Sequence, residues 1–201
     1  MTPKAPTRER ILDAATDLFG ARGVEAVSLD VIAAEVGVAK QTLLYWFASK
    51  DDLVQAVLLQ AATQLGVAIE AAIRASTDDP LDRIDNVVRA VFRPAVRRPA
   101  LLGLIREVSR LSPTVGERFH AALSPLVDRA VVYLQREMDR GRLRRGDPRL
   151  IAALCYATVT GIATEPEVLR SVGWSPTTAD LRRLRAELLA FLRAALAPSP
   201  A

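Results

Sequence analysis

Apolar residues recur along this chain at three- and four-residue intervals, and no stretch alternates with the two-residue rhythm of a strand. The first periodic segment predicts a helix over Arg8–Ala21, with Ile11, Leu12, Ala15, Leu18 and Phe19 on one face. Gly23 is expected to end it in the left-handed conformation, which glycine enters without a Cβ penalty. Ser28 offers an N-cap to a short helix over Leu29–Val36, and Gly37 stops that one. Only Val38 and Ala39 separate it from another short helix over Lys40–Phe47. Ser49 caps a long helix over Lys50–Ser76, with Asp51 and Asp52 in a first turn where carboxylates suit the helix dipole.

Proline marks the remaining starts. Asp79-Pro80 opens a helix to about Arg97, Pro99 opens one to about Leu111, and Ser112-Pro113 begins a long segment to about Gly141. Pro125 lies inside that segment and is expected to kink or split it. Asp147-Pro148 begins a helix to about Thr164, Trp174-Ser175-Pro176 falls in a loop, and a last helix covers Thr178–Ala197 before a loose tail. The pattern is all-α, with nine or ten helices. The charge-poor helix from Lys50 is the natural joint between a compact N-terminal unit, residues 1–52, and a larger helical part, residues 53–201.

Composition removes several functions. Of 201 residues half are apolar and a quarter charged, enough for a core and too little net charge, +4, for a disordered chain. The one cysteine, Cys155, forms no internal disulfide and builds no cysteine zinc site; it is expected to be a buried structural residue. A single histidine, His120, cannot supply the paired Glu-x-x-His motifs of a di-metal bundle, and there is no glycine-rich phosphate loop. We therefore expect no enzyme, no cofactor and no metal. Met1-Thr2-Pro3-Lys4 lacks a signal-peptide pattern. The longest uncharged run, Leu53–Ile69, is short for a bilayer span and interrupted by Gln55, Gln60, Thr63 and Gln64. A cytoplasmic protein without a membrane partner is the expectation.

Ser28–Phe47 has the proportions of a helix-turn-helix. Two helices that cross closely need a small residue at the contact, supplied by Ala33 and Ala34, and a turn residue free to take positive φ, supplied by Gly37. Ile32, Val36, Val38, Leu43 and Trp46 are expected to point inward, as is Phe47. Gln41, Thr42, Leu44 and Tyr45 are left facing outward.

Arg8–Leu58 resembles the DNA-binding domain of TetR/AcrR-type transcriptional regulators. The likeness rests on Ile11-Leu12, Ala14-Ala15, Leu18-Phe19, Arg22-Gly23, Ile32-Ala33-Ala34, Gly37-Val38, Lys40, Thr42-Leu43, Phe47 and Ser49-Lys50. It implies an N-terminal three-helix DNA-binding domain and a larger C-terminal ligand-binding and dimerisation domain. Lys40–Phe47 would be the recognition helix in the major groove. Gln41 would read a base, since glutamine pairs in bidentate fashion with adenine. Ser28, Lys40, Thr42, Tyr45 and Lys50 would contact DNA with hydroxyls and cations, and Leu44 would either touch a thymine methyl or be a lost phosphate contact. Three residues depart from the family pattern: Ala39 removes the usual hydroxyl cap of the recognition helix, Leu44 replaces a common tyrosine, and Trp46 replaces a common inward tyrosine.

The same resemblance implies a C2 homodimer built from the last two long helices, with Leu150, Leu154, Thr158, Gly161, Leu181, Leu184, Leu188 and Phe191 at the interface. It also implies a small, largely apolar effector among the middle helices, near Phe92, Leu104, Ile105, Val108, Phe119, His120 and Tyr133. The expected function is a ligand-responsive repressor that binds a palindromic operator in double-stranded DNA and is released by a small molecule. The alternatives are an activator or ligand-independent regulator of the same fold, and a helical scaffold whose helix-turn-helix contacts protein.

The sequence pI of about 9.7 adds nothing to the DNA reading. Residues 1–55 hold six cations against eight acids, a net of −2, and the positive surplus lies beyond them in arginine groups expected to be solvated faces and helix C-terminal charges.

Overall fold

The computed structural model describes residues 6–97, 113–164, 171–174 and 177–198. Among these the chain is helical and has no strand: α1 Thr7–Arg22, α2 Leu29–Val36, α3 Lys40–Trp46, α4 Lys50–Arg74, α5 Pro80–Arg97, α6 Pro113–Asp139, α7 Pro148–Thr164 and α8 Thr178–Leu196. The expected helix over Pro99–Leu111 lies outside the described residues. The boundaries fall within about two residues of those read from the apolar pattern and its caps. Pro125 does not split its segment, because α6 runs on through it as one helix. A proline removes only its own N–H from the ladder, and the turns on either side hold the helix together.

The chain divides into two compact units, residues 1–64 with 97–122, and residues 65–96 with 123–201. The first unit is organised by the apolar face of α1. Ile11, Leu12, Ala15, Leu18 and Phe19 are buried there with Val24 and Val27, Ile32, Ala33 and Val36 of α2, Leu43 and Phe47, and Leu53, Val54, Val57 and Leu58 of α4. Each large side chain so buried contributes roughly 1.5–3 kcal/mol, which sets the angle at which α2 and α3 are held. By length and composition α4 alone among the described helices is long and apolar enough to cross a bilayer. Its first turns are instead the floor of this core.

The second unit carries two apolar clusters. Val88 and Phe92 of α5 pack with Val159, Leu188, Leu189 and Leu192, and Leu134, Met138 and Leu143 pack with Ile151, Ala152 and Leu196. Cys155, expected to be buried, is half-buried and packs against both clusters, and desolvation pushes its thiol pKa up. Polar ties complete the unit. Arg193 of α8 donates to Asp85 at 2.8 Å and Asp82 at 3.0 Å on α5. The carboxylate of Glu137, fully buried, accepts from Arg142 at 2.6 Å, Arg136 at 3.1 Å and Arg140 at 3.4 Å.

Candidate nucleic-acid interface

The two short helices and their turn follow from local chemistry. Ser28 Oγ accepts from the Val31 N–H at 3.3 Å and caps α2. At its other end Gly37 takes φ 72° and ψ 44°, so Gly37 N–H reaches Ala34 O at 3.1 Å and Val38 N–H reaches Ala33 O at 3.0 Å. This reciprocal closure needs a left-handed residue, and it turns the chain within two residues into α3. Ala33 is the small residue at the crossing; Ala34 faces solvent, because it falls one helical step off the buried stripe. Gly23 has positive φ as expected but ψ 152°, so it is not left-handed helical; its N–H still closes α1 on Phe19 O at 2.8 Å.

α3 has no side-chain cap. Ala39 adopts the extended conformation of an N-cap, φ −68° and ψ 147°, with no hydroxyl to fill the role. Leu43 and Phe47 hold the inner face, and Gln41, Leu44 and Tyr45 are exposed, with Thr42 half-buried. Tyr45 is 80% exposed and stands furthest out. Trp46 corrects the sequence reading: expected inward, it is 43% exposed. α3 stops at Trp46, and Phe47, no longer helical at φ −140°, swings its ring into the core in its place. The Trp46 ring stands edge-on to Tyr45 at 5.3 Å, so the end of α3 presents two aromatic side chains.

Four cations around the helix-turn-helix are engaged. Lys40 Nζ lies 2.8 Å from Asp30 Oδ2, with both side chains largely exposed. Lys50 Nζ donates to the Glu25 carbonyl at 3.3 Å. The Arg10 guanidinium donates to the Val36 carbonyl, and that of Arg8 sits 5.5 Å over the Phe47 ring. Helical spacing alone does not reveal the Lys40–Asp30 pair, whose members are ten residues apart across a turn.

This segment is what family comparison recognises. Residues 11–57 match the model described as bacterial regulatory proteins, tetR family. The N-terminal segment of this chain is therefore similar to the DNA-binding domain of tetR-family regulators. It is 25% identical over 131 residues to the transcriptional regulator AlkX of Mycobacterium tuberculosis, spanning 65% of this chain and 61% of that one. It is 36% identical over 90 residues to the transcriptional activator FasR of Mycolicibacterium smegmatis, 45% of this chain and 41% of that one. The aligned part is thus under two thirds of either relative's length. The fold is also that of the regulator FadR of Bacillus subtilis, solved in complex with stearoyl-CoA, at TM-score 0.80 and 19% identity over 93% of this chain and 98% of that one.

The other expected site residues are less concentrated. Phe92 is buried in the α5–α7–α8 cluster. Tyr133 is half-buried between the guanidinium groups of Arg83 and Arg136, 5.1 and 5.4 Å from its ring; burial pushes its phenol pKa up and Arg83 works against that. Leu104, Ile105 and Val108 lie outside the described residues, as do the side chains of Phe119, His120 and Leu181 and the exposure of Gly161. An open depression of about 610 Å³ in the second unit is lined, among the described residues, by Val131, Gln135, Arg136, Asp147 and their neighbours, and not by Phe92 or Tyr133. On α7 and α8, Leu150, Leu154 and Phe191 are exposed, Thr158 and Leu184 are half-buried, and Leu188 is 4% exposed within its own core.

Proposed function

We propose that this chain is a dimeric DNA-binding transcriptional regulator, and that it acts as a repressor released by a small, largely apolar effector. The observation that carries the reading is the left-handed closure at Gly37, which fixes α3 on a rigid core with Gln41, Leu44 and Tyr45 outward. A helix so presented fits the major groove, where glutamine reads adenine and an apolar side chain meets a thymine methyl. Residues 1–52 form the DNA-binding head, and residues 53–201 bind effector and dimerise in the cytoplasm. Leu150, Leu154 and Phe191 support the dimer, since exposed apolar residues on two long helices make a self-complementary C2 surface.

An effector that binds one arrangement of the two heads better than the other shifts the population toward it and changes the spacing of the recognition helices. Electrophoretic shift with the DNA upstream of the gene, and with duplexes enriched by selection from a random pool, tests the reading. A discrete complex lost on Gln41→Ala supports it; no complex with any duplex refutes it. Activation is the second reading, favoured by the likeness of the head to an activator. Transcript levels of neighbouring genes after deletion separate the two.

A further inference from the structure

The recognition helix carries one cation, Lys40, and that cation is held 2.8 Å from a carboxylate on the preceding helix. Asp30 sits in the first turn of α2, two residues after the Ser28 cap, where the helix dipole favours a negative charge. It is therefore well placed for a carboxylate. Three other cations nearby have partners of their own, Lys50 on an exposed carbonyl, Arg10 on the end of α2 and Arg8 over an aromatic ring. Lys40 is thus the cation of α3 available to a phosphate, and Asp30 competes for it. Resting on the DNA-binding reading above, we propose that Asp30 limits the DNA affinity of the head: it neutralises Lys40 in the free protein and repels the phosphate that would replace it.

Both partners are largely exposed, so a phosphate exchanges for the carboxylate without opening the core. The carboxylate nevertheless remains at the same edge of the interface and cancels part of the gain. The head then contributes little sequence-independent affinity, and binding depends on base contacts and on two heads acting together.

Full-length wild type, Asp30→Asn, Asp30→Glu and Glu35→Gln are titrated by fluorescence anisotropy against a random-sequence duplex over a range of KCl. Glu35 is an exposed acid of the same helix and controls for net charge alone. Asp30→Asn is expected to bind about three- to tenfold more tightly at low salt and to steepen the salt dependence by about 0.9 per head, the value of one phosphate contact. Asp30→Glu and Glu35→Gln are expected to stay near wild type. Wild-type binding with no gain in Asp30→Asn overturns the proposal and leaves the DNA reading intact. An equal gain in Glu35→Gln also overturns it, because the effect is then general charge. Absence of salt-dependent binding in every protein overturns both readings.

Discussion

At the scale of single residues, two positions in the helix-turn-helix carry more than their size implies. Gly37 has open space where a Cβ would stand, so its requirement is the backbone conformation and not room for a side chain. Gly37→Ala is expected to cost about 1–2 kcal/mol from the left-handed φ alone, and Gly37→Asn less. Denaturant midpoints of the three proteins check this; equal midpoints would show that the turn is not under this constraint. Ala39 is the opposite case, a favourable N-cap backbone without the side chain. Ala39→Ser is expected to stabilise by about 1 kcal/mol, read as a raised urea midpoint with unchanged slope. Trp46 shows how one residue at a helix end escapes a periodic reading: of the two aromatic residues expected inward, only Phe47 is buried once the helix stops.

At the scale of elements, Glu137 joins the end of α6 to the loop that follows. Gly141 takes φ 69°, and Arg142 N–H returns to the Glu137 carbonyl at 2.9 Å, which brings the Arg142 guanidinium back onto the Glu137 carboxylate. Arg142 also reaches Asp78 at 2.9 Å, whose carboxyl it holds below the usual carboxylate range. Arg144 next to it donates to the Ala195 carbonyl at 2.9 Å at the end of α8. Arg142 and Arg144, among the arginines expected to be solvated faces or helix C-terminal charges, here tie three elements together. Glu137→Ala leaves three guanidinium groups around an empty position and is expected to cost about 2–4 kcal/mol, with Glu137→Gln between it and wild type. Chemical denaturation measures both. A loss under about 0.5 kcal/mol, the usual surface value, would mean the half-exposed arginines simply re-solvate.

At the scale of the whole molecule, the proposed function needs two copies. The head's net charge of −2 leaves a single copy with weak general attraction to DNA, so a second head on the same duplex supplies most of the operator affinity. Leu154 and Phe191 are 66% and 60% exposed, and a charge at either is expected to leave each unit folded while preventing self-association. Leu154→Glu with Phe191→Glu should elute as a monomer by size-exclusion chromatography with light scattering and lose about 100-fold or more in operator affinity. A dimer that persists in the double variant would move the interface elsewhere.

The sequence by itself determined the all-helical architecture and most helix limits, because caps, glycines, prolines and a 3.6-residue apolar period act locally. It also determined the helix-turn-helix, since Ser28, Ala33, Gly37 and Leu43 each meet a local requirement of that turn. Tertiary structure alone decided what depends on elements meeting. It placed Trp46 outside, paired Lys40 with Asp30, gathered Arg136, Arg140 and Arg142 on Glu137, and separated the buried Leu188 from the exposed Leu154 and Phe191. The physical reason is range. Backbone preferences and caps act within one turn of helix, whereas ion pairing and the choice of the buried side chain depend on neighbours many residues away, whose positions the folded chain fixes.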